Sequence, residues 1–413
     1  MKRPFPGKCL IGLALIFVAG LPVRAQFDPG QYTDEAPFRT WNSFPYVGAA
    51  ALGRGQTAFA WGTDATVSPA NPALLVTLPK WTFTLGGSFQ YATAMKFGPV
   101  NSGVLTTDLP VGGNLFSGDH AALSFHSGRF AVAAAVFNSE YYDRPATEAY
   151  EDYAQIRLYT IRFEQAGFLR TFHLAASLRL SSRLGIGLGL NVDSGRLKTE
   201  FLEDENAWGY KFTSTKSVTL RGFSVNGGAY LEIFPSIRAA LTFRTPSALE
   251  AKTATVDRYE APLLGTDISI RGESADSFER PLVVGAGLTV KHNERLRTAV
   301  DISWLRWSSY QAVWLGESQT RAFRDVVRVS AGGEYEAEFR LFGRKAASPF
   351  RFGFVYDPQP TTNPRSAYLS VAFGIGLEIG PFRLDLGALT GSAADSGNRL
   401  TALRVSLSCG YVF

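Results

Sequence analysis

The 413-residue chain is poor in the residues that build disulfides, metal sites and nucleophilic active sites, with two cysteines and four histidines. Cys9 lies in a segment that we expect to be removed, so Cys409 would stand alone and no intramolecular disulfide could form. His120 and His126 would share one face of a strand, but no cysteine or carboxylate completes a metal set beside them. Neither a Gly-x-Ser-x-Gly elbow nor a phosphate-binding glycine loop occurs. We therefore expect no enzyme activity, no metal and no cofactor.

Long hydrophobic runs are missing beyond the first 25 residues. Lys2, Arg3 and Lys8 precede an apolar run from Cys9 to Val23 and an A-x-A-like end, which predicts a signal peptide over residues 1–25. No other stretch approaches the roughly 18 apolar residues of a transmembrane helix. Removal of this peptide lowers the formal net charge of +5 by four, to +1. The high pI therefore gives no support to nucleic-acid binding.

The last eleven residues show an alternation that recurs along the mature chain. One set of alternate positions is apolar: Leu403, Val405, Leu407, Cys409, Tyr411 and Phe413. The other set is polar or small: Arg404, Ser406, Ser408 and Gly410. Successive side chains of a strand point to opposite faces, so one face fits lipid and the other fits a wet interior. This pattern is typical of outer-membrane β-barrels.

Alternation of this kind predicts about fourteen strands, starting with Trp81 to Tyr91 and joined by long and short links in turn. Residues 80–413 are therefore expected to form an all-β, transmembrane, antiparallel β-barrel of 14 strands. Two places leave sixteen strands open. The apolar phase slips near Gln165 to Arg170, and the long segment from Ile268 to Val290 contains Pro281.

Residues 26–79 do not alternate. They are rich in Gly, Ala, Pro and Thr, which makes them too apolar for a solvated tail and too irregular for barrel wall. The economical placement is inside the lumen, as an N-terminal hatch that plugs the barrel.

Three short elements occur in order before the first strand: a Gly-Arg element, an acidic-Ala element and an Asn-Pro-Ala signature. They provide the candidate hatch residues Gly53, Arg54, Asp64, Asn71, Pro72 and Ala73. Their order resembles the hatch of the FadL-type family of long-chain fatty acid and hydrophobic compound transporters. Later strands of that family are resembled by Phe243 to Pro246, Pro281 to Gly287, Asp301 to Ser308 and Phe352 to Asp357.

The resemblance implies passive transport of hydrophobic compounds, long-chain fatty acids first among them, across the bacterial outer membrane. The steps it implies are capture by loops, rearrangement of the hatch and lateral exit through the wall at the third strand, here Phe130 to Asn138. Its partners would be outer-membrane lipid and a hydrophobic small molecule. The terminal Phe413 also resembles the signal that bacterial barrel proteins present for delivery to the outer membrane, so the barrel-assembly machinery is expected as a partner during biogenesis.

Substrate contact would fall first to the long links 92–118 and 202–215. Their apolar candidates are Phe97, Leu105, Leu109, Leu115, Phe116, Trp208, Tyr210 and Phe212. The alternative is that these side chains pack the loops together or form an interfacial aromatic belt. Among the inward-facing arginines, Arg179 and Arg244 are candidates for binding a carboxylate, since a guanidinium offers a bidentate donor. The alternative role for each is pairing with acidic side chains and the hatch.

Two other functions stay open from sequence. The first is a non-transporting barrel that serves as a docking component of a secretion or surface-attachment system. The second is a general porin for polar solutes. A lumen filled by residues 26–79 and an apolar loop groove would exclude the porin, whereas a closed third strand without a lumen pocket would favour docking.

Overall fold

The computed structural model describes residues 47–96, 108–153, 156–205, 209–319, 323–360, 362, 365, 367–393 and 401–412. One helix, α1 (Ala49–Gly53), precedes nineteen strands. The first ten are β1 (Trp81–Lys96), β2 (Asp108–Ser127), β3 (Phe130–Tyr141), β4 (Arg144–Tyr153), β5 (Ile156–Arg179), β6 (Leu184–Glu205), β7 (Tyr210–Phe234), β8 (Ile237–Arg244), β9 (Ser247–Ala261) and β10 (Thr266–Arg280). The others are β11 (Val283–Lys291), β12 (Leu296–Leu305), β13 (Ala312–Trp314), β14 (Glu317–Gln319), β15 (Val326–Leu341), β16 (Arg344–Pro358), β17 (Ala367–Ile379), β18 (Phe382–Ala393) and β19 (Thr401–Val412). Within these ranges, no helix is both long and apolar enough to cross a bilayer.

Fourteen of the strands form a closed antiparallel wall. The order around it is β1, β2, β3, β5, β6, β7, β8, β11, β12, β15, β16, β17, β18 and β19. The wall closes where β1 pairs with β19, from Thr82 opposite Val412 to Thr93 opposite Thr401. The prediction of 14 strands is confirmed, and sixteen is not the count. Short turns lie at the end where β1 begins, and we call the opposite end the long-loop end.

The five remaining strands extend the wall at the long-loop end. The half of β7 close to the short turns pairs with β8, and the other half of β7 pairs with β9. Strands β8 and β9 therefore act as one strand that is interrupted at Thr245 and Pro246. The same holds for β11 and β10, which explains the long segment that contains Pro281. The phase slip near Gln165 to Arg170 coincides with Gly167, whose φ is 152°, and with a bulge in β3 opposite Leu169 and Arg170, and it adds no strand to the wall.

Outward side chains change from apolar to polar along the strands. On β6 the outward positions are Ile186, Leu188, Leu190 and Val192, followed by Ser194, Arg196, Lys198 and Glu200. The inward positions change in the opposite sense, from Gly187 and Asn191 to the buried Leu197. The apolar part matches a hydrocarbon layer, and the polar part stands in water around a dry interior. Consequently the predicted links 92–118 and 202–215 are largely strand, because β-structure continues beyond the apolar band with reversed polarity.

Residues 47–80, which we call the luminal segment, lie inside this wall. Helix α1 packs against β16 to β19, and the 3₁₀ turn Pro72–Thr77 packs against β5 to β7 on the opposite side. The segment's large side chains, including Phe59, Trp61 and Leu74, are fully buried. Predicted hatch residues 26–46 lie outside the described residues, as does the predicted signal peptide.

Inward-facing glycines of the wall let the luminal segment approach the strand backbone. A side chain at any of them would collide with this segment. They are Gly187, Gly228, Gly285, Gly287, Gly332, Gly353, Gly374 and Gly387, which we call the glycine ring. At Gly332, for example, an added Cβ would run into the carbonyl of Arg54, and at Gly353 into the backbone of Gly55. The fit therefore depends on the absence of side chains at one level of the lumen.

We predict that Gly332→Ala displaces the luminal segment and leaves the barrel wall intact. The added methyl meets backbone on the segment side, so the overpacking should cost about 1–3 kcal/mol. Limited proteolysis of the purified protein should then cut residues 47–80, while heat-modifiable electrophoretic mobility still reports a folded barrel. The control is Gly410→Ala on β19, where the nearest atom to an added Cβ lies at 3.5 Å. Equal protease resistance in both variants would contradict the close-approach argument.

Candidate functional site

The Gly-Arg element of the luminal segment is held by a buried ionic network. The guanidinium of Arg54 stacks 4.2 Å above the Trp61 ring, and its Nη1 lies 3.6 Å from Glu334 Oε2. Arg351 donates to Glu334 at 2.6 Å and to Asp385 at 2.7 Å. Gly53, next to Arg54, lies against the backbone of Gly374. Because charges in a barrel interior need partners, this network fixes the position of the element.

Side-chain caps begin the turns of the other two candidate hatch elements. The Asp64 carboxylate accepts from the backbone N–H of Thr66 at 2.8 Å, at the start of the 3₁₀ turn Ala65–Val67. Asn71 Oδ1 accepts from the N–H of Ala73 at 3.0 Å, and Asn71 Nδ2 donates to the carbonyl of Phe59 at 2.7 Å. The Asn-Pro-Ala signature thus places a capping amide before Pro72 at the first position of the turn.

Wall side chains satisfy much of the segment's irregular backbone. Asp301 Oδ2 accepts from the N–H groups of Ala58 and Phe59 at 2.7 and 2.9 Å. Asn226 Nδ2 donates to the carbonyls of Ser68 and Pro69, and Thr242 Oγ1 donates to that of Ala70. Strand alternation places Asp301 on the inner face, and the structure shows that its carboxylate accepts from these two backbone N–H groups there.

A hydrogen-bonded chain that the sequence did not indicate joins the wall to α1. His120 Nδ1 lies 2.5 Å from Asp119 Oδ1, and His120 Nε2 lies 3.2 Å from Ser408 Oγ. Ser408 Oγ also accepts from the N–H of Ala49 at 2.9 Å. An irregularity in the pairing of β2 with β1 brings both Asp119 and His120 to the inner face. Strict alternation would place only one of two consecutive residues there. Over the described residues, no group of three or more potential metal ligands occurs.

The long-loop half of the lumen contains an apolar core, which we call the outer cluster. Its members are Tyr142, Leu169, Leu197, Val218, Leu220, Leu249, Ala251, Phe278, Ala312 and Trp314. Tyr142 lies between β3 and β4. The others come from the inner faces of β5, β6, β7, β9 and β10 and from the adjoining β13, where the outward side chains have become polar. The outer cluster therefore lies inside the part of the barrel that extends beyond the apolar, lipid-facing band.

A charged group lies next to the outer cluster. Arg280 Nη1 donates to Asp193 Oδ2 at 2.8 Å. The guanidinium of the buried Arg244 lies within electrostatic reach of Arg280, Asp193 and Glu140. Tyr142 belongs to the outer cluster, and its hydroxyl donates to Glu140 at 3.0 Å. The arrangement joins an apolar volume to two arginines and two carboxylates.

Two further apolar groups continue from the outer cluster toward the short turns. Tyr310 packs against the outer cluster and also against the middle cluster. The middle cluster is Ala58, Phe59, Ala70, Val283, Leu305, Trp307 and Val326. The lower cluster combines Ala60, Val67, Ala73, Leu74, Leu75, Val76 and Leu78 with the wall residues Ala131, Ala133, Ala175, Tyr230 and Ala240. Apolar side chains thus follow one another from the long-loop end to the end of the luminal segment.

The third strand separates from the second near the upper edge of the apolar band. Pairing of β2 with β3 ends at His120 opposite Phe137, although β2 continues toward the long loops beside β1. On its other side β3 carries a bulge, because Asn138 faces Arg170 and Glu140 already faces Leu169. Ser139 is the extra residue, and both it and Glu140 are buried. Across the described part of these strands, hydrogen bonding between β2 and β3 is therefore incomplete.

The candidate binding residues fall at different places. Arg244 lies in the charged group beside the outer cluster. Arg179 lies near the short turns, where it donates to the carbonyl of Val76, and the structure does not bring it to Arg244. Tyr210 and Phe212 are half-buried near the far end of β7, where the ring of Phe212 lies 4.7 Å from that of Tyr259. Phe97, Leu105 and Trp208 lie outside the described residues, and β2 contains Leu109, Leu115 and Phe116 without a description of their side chains.

Solved structures of hydrocarbon channels share this architecture. The Ralstonia pickettii toluene transporter TbuX matches with a TM-score of 0.65 at 15% identity, covering 89% of this chain and 98% of that one. The CymD monoaromatic hydrocarbon channel matches with a TM-score of 0.64 at 15% identity, covering 90% and 99%. A Pseudomonas aeruginosa FadL homologue matches with a TM-score of 0.63 at 13% identity, covering 89% and 99%. At these identities the likeness establishes the fold, which agrees with the FadL-type resemblance of the sequence.

Sequence comparison gives a family. No curated protein matches the sequence. The family model described as BamG matches residues 62–400, which span the later half of the luminal segment and every wall strand except β19. The chain therefore belongs to the BamG family, built on the barrel fold of the hydrocarbon channels named above.

Proposed function

We propose that the protein is an outer-membrane transporter of hydrophobic compounds. The observation that carries the proposal is the succession of outer, middle and lower apolar clusters inside a lumen that also contains the luminal segment. A general porin needs a wet, open passage, whereas here fully buried side chains such as Trp61 and Leu75 occupy the interior. The toluene and monoaromatic hydrocarbon transporters of like fold support the same substrate class.

The energetics explain why an apolar route is needed. Each buried methylene is worth about 0.8 kcal/mol, so exposing a 16-carbon tail to water would cost on the order of 12 kcal/mol. A chain of apolar side chains from the long-loop end inward keeps that tail out of water. In the proposed orientation the long-loop end faces the cell exterior and the short turns face the periplasm.

The luminal segment acts in this proposal as a movable hatch. Its latch consists of discrete contacts, notably Asn71 with Phe59 and Asp301 with Ala58. Replacement of the middle cluster's contacts by substrate would shift the segment, because Phe59 belongs both to that cluster and to the latch. Passage would then depend on the substrate's own apolar contacts.

Exit occurs sideways at the third strand. The unpaired part of β2 and the bulge at Ser139 border the region where β3 leaves β2. An apolar molecule that leaves there enters outer-membrane lipid without crossing water. With this exit, the substrate would not have to leave the barrel through its short-turn end.

Long-chain fatty acids are the finer substrate proposal. Arg244 lies beside the outer cluster and would bind the carboxylate of the fatty acid, while the hydrocarbon tail packs against Leu220 and Leu249. An uncharged hydrocarbon would use the cluster alone. Barrel-assembly machinery as a partner in biogenesis is proposed from the terminal aromatic Phe413.

Deletion of Asn71 to Ala73 is predicted to abolish uptake of a labelled fatty acid while the barrel folds. It removes the capping amide and the contacts with Gly187 and Gly228 that seat this turn. The measurement is uptake by cells that produce equal amounts of heat-modifiable protein. An equally large deletion at an exposed hairpin tip, Pro262–Leu264, should leave uptake unchanged. Normal uptake in the first deletion would remove the hatch mechanism.

Deletion of Ser139 tests the lateral exit. It leaves Asn138 opposite Arg170 and Glu140 opposite Leu169, so β3 becomes regular and later side chains keep their faces. We expect uptake of both fatty acid and toluene to fall by roughly tenfold, a change of about 1.4 kcal/mol. Ser139→Ala keeps the bulge and loses only the hydroxyl's bond to Leu169, so it should transport normally. A transporting deletion variant would argue against this exit.

Arg244→Gln separates the two substrate classes. Loss of a charge-assisted hydrogen bond should lower fatty acid uptake by roughly tenfold, and toluene uptake should not change. Arg196→Gln on the outward face of β6 is the matched control. If both probes enter Arg244→Gln cells at the normal rate, the carboxylate assignment is wrong, and hydrocarbon transport stands.

A further inference from the structure

Arginines surround Ser194 on the outer face of the wall. In one row of paired residues across β5, β6 and β7, Ser194 lies between Arg170 and Arg221. Arg196 follows farther along β6 and points to the same face, because side chains alternate along a strand. We call Arg170, Ser194, Arg196 and Arg221 the arginine cradle. Its side chains are exposed or half-buried.

The arginine cradle lies directly above the apolar band. The next row toward the short turns contains Phe172, Val192 and Phe223. These side chains point outward and are 52%, 50% and 55% exposed. The cradle therefore lies at the level where the wall passes from hydrocarbon to lipid head groups.

Neutral groups hold two of the guanidiniums in place. The guanidinium of Arg170 lies 4.8 Å from the centre of the Phe168 ring, and that of Arg196 lies 5.6 Å from the same ring. Arg170 Nε also donates to Asn138 Oδ1 at 3.0 Å, and Asn138 Nδ2 donates to the hydroxyl of Tyr141 at 3.2 Å. The ring and the amide orient these cations without neutralising their charge.

The acidic side chain that faces the arginine cradle is Glu250, opposite Arg221 on β9. Lys252 lies on the same outer face of β9 and offsets its charge. Across the residues that the structure describes, the arginines of the cradle form no ion pair with a carboxylate. The cradle therefore keeps a net positive charge.

Other acids of this region are occupied or lie elsewhere. Asp193 precedes Ser194 but points to the lumen, where it pairs with Arg280. Glu273 lies on β10, separated from β6 by β7 and β9. The remaining acids have partners of their own at 2.5, 3.3 and 2.8 Å: Glu200 with Lys198, Glu164 with Arg162, and Asp143 with the N–H of Gly167. Cations grouped on one face in this way attract an anion.

We propose that the arginine cradle binds the phosphate head group of an anionic lipid in the leaflet that faces the long-loop end. Guanidinium groups bind phosphate oxygens through paired N–H donors, and the hydroxyl of Ser194 adds a donor at the centre. The acyl chains of the same lipid lie along Phe172, Val192 and Phe223. A dissolved phosphate ion meets the same donors but lacks this apolar contact, so the site selects the lipid.

This site is separate from the proposed transport route, because the two lie on opposite faces of the wall. On β6, Leu197 points inward and belongs to the outer cluster, whereas Ser194 and Arg196 point outward. A change at Arg196 is therefore expected to alter lipid binding without altering uptake.

The test is native mass spectrometry of the purified full chain in dodecyl maltoside, titrated with dioleoyl phosphatidic acid. The protein should retain this lipid in preference to dioleoylglycerol, which has the same chains but no phosphate. Ser194→Glu places a carboxylate among the arginines, so it should weaken retention of phosphatidic acid by roughly tenfold or more. Ser194→Gln has nearly the same size without the charge, so it should retain the lipid normally.

Arg221→Gln removes one phosphate contact and should weaken retention by roughly tenfold. Its matched control is Arg162→Gln, at an outward position of β5 far from the arginine cradle, which should bind normally. Heat-modifiable mobility should show that all variants are folded. Equal retention of dioleoylglycerol would overturn the proposal, because it would mean a general apolar contact. So would full displacement by an equal concentration of inorganic phosphate, which would mean an ion site only, or equal losses in Ser194→Glu and Ser194→Gln.

Discussion

The structure depends on one constraint: the luminal segment is irregular and dry, so its backbone N–H and C=O groups must find partners on the wall. Buried backbone groups without partners are costly, and irregular chain supplies few partners of its own. Asp301 accepts from two N–H groups, Asn226 donates to two carbonyls, and Ser408 accepts from the first N–H group of α1. These contacts arise from strands on several sides of the barrel. Segment and wall therefore specify each other.

The same constraint accounts for the glycine ring and the lumen charges. Backbone can meet wall backbone only where side chains are missing, as at Gly332 and Gly353. Around that level, the arginines and acids pair with one another and with Arg54, so charge is neutralised where the segment excludes water. Above it lies the apolar outer cluster, with the charged group of Arg244, Arg280, Asp193 and Glu140 beside it. A molecule that enters from the long-loop end thus meets apolar surface first and the segment last.

Sequence predicted the wall well because alternation is a local property. The outward Ile186 to Val192 row can be read without knowledge of the fold. Asp64 and Asn71 were identified only by resemblance, and the structure supplied their capping roles. The reversed polarity beyond Val192 was missed, because a buried Leu197 between charged neighbours resembles a loop unless its depth relative to the membrane is known. The His120 chain was missed for another reason: it depends on pairing between strands that are distant in sequence.

We propose that residues 47–80 fill the lumen and leave an apolar route in place of an aqueous one. Single-channel recording of the purified full-length protein in planar bilayers distinguishes these two kinds of passage. We expect no large, steady ion conductance, because buried side chains and paired charges occupy the interior. A large, stable, ohmic conductance would show an open aqueous pore and contradict it.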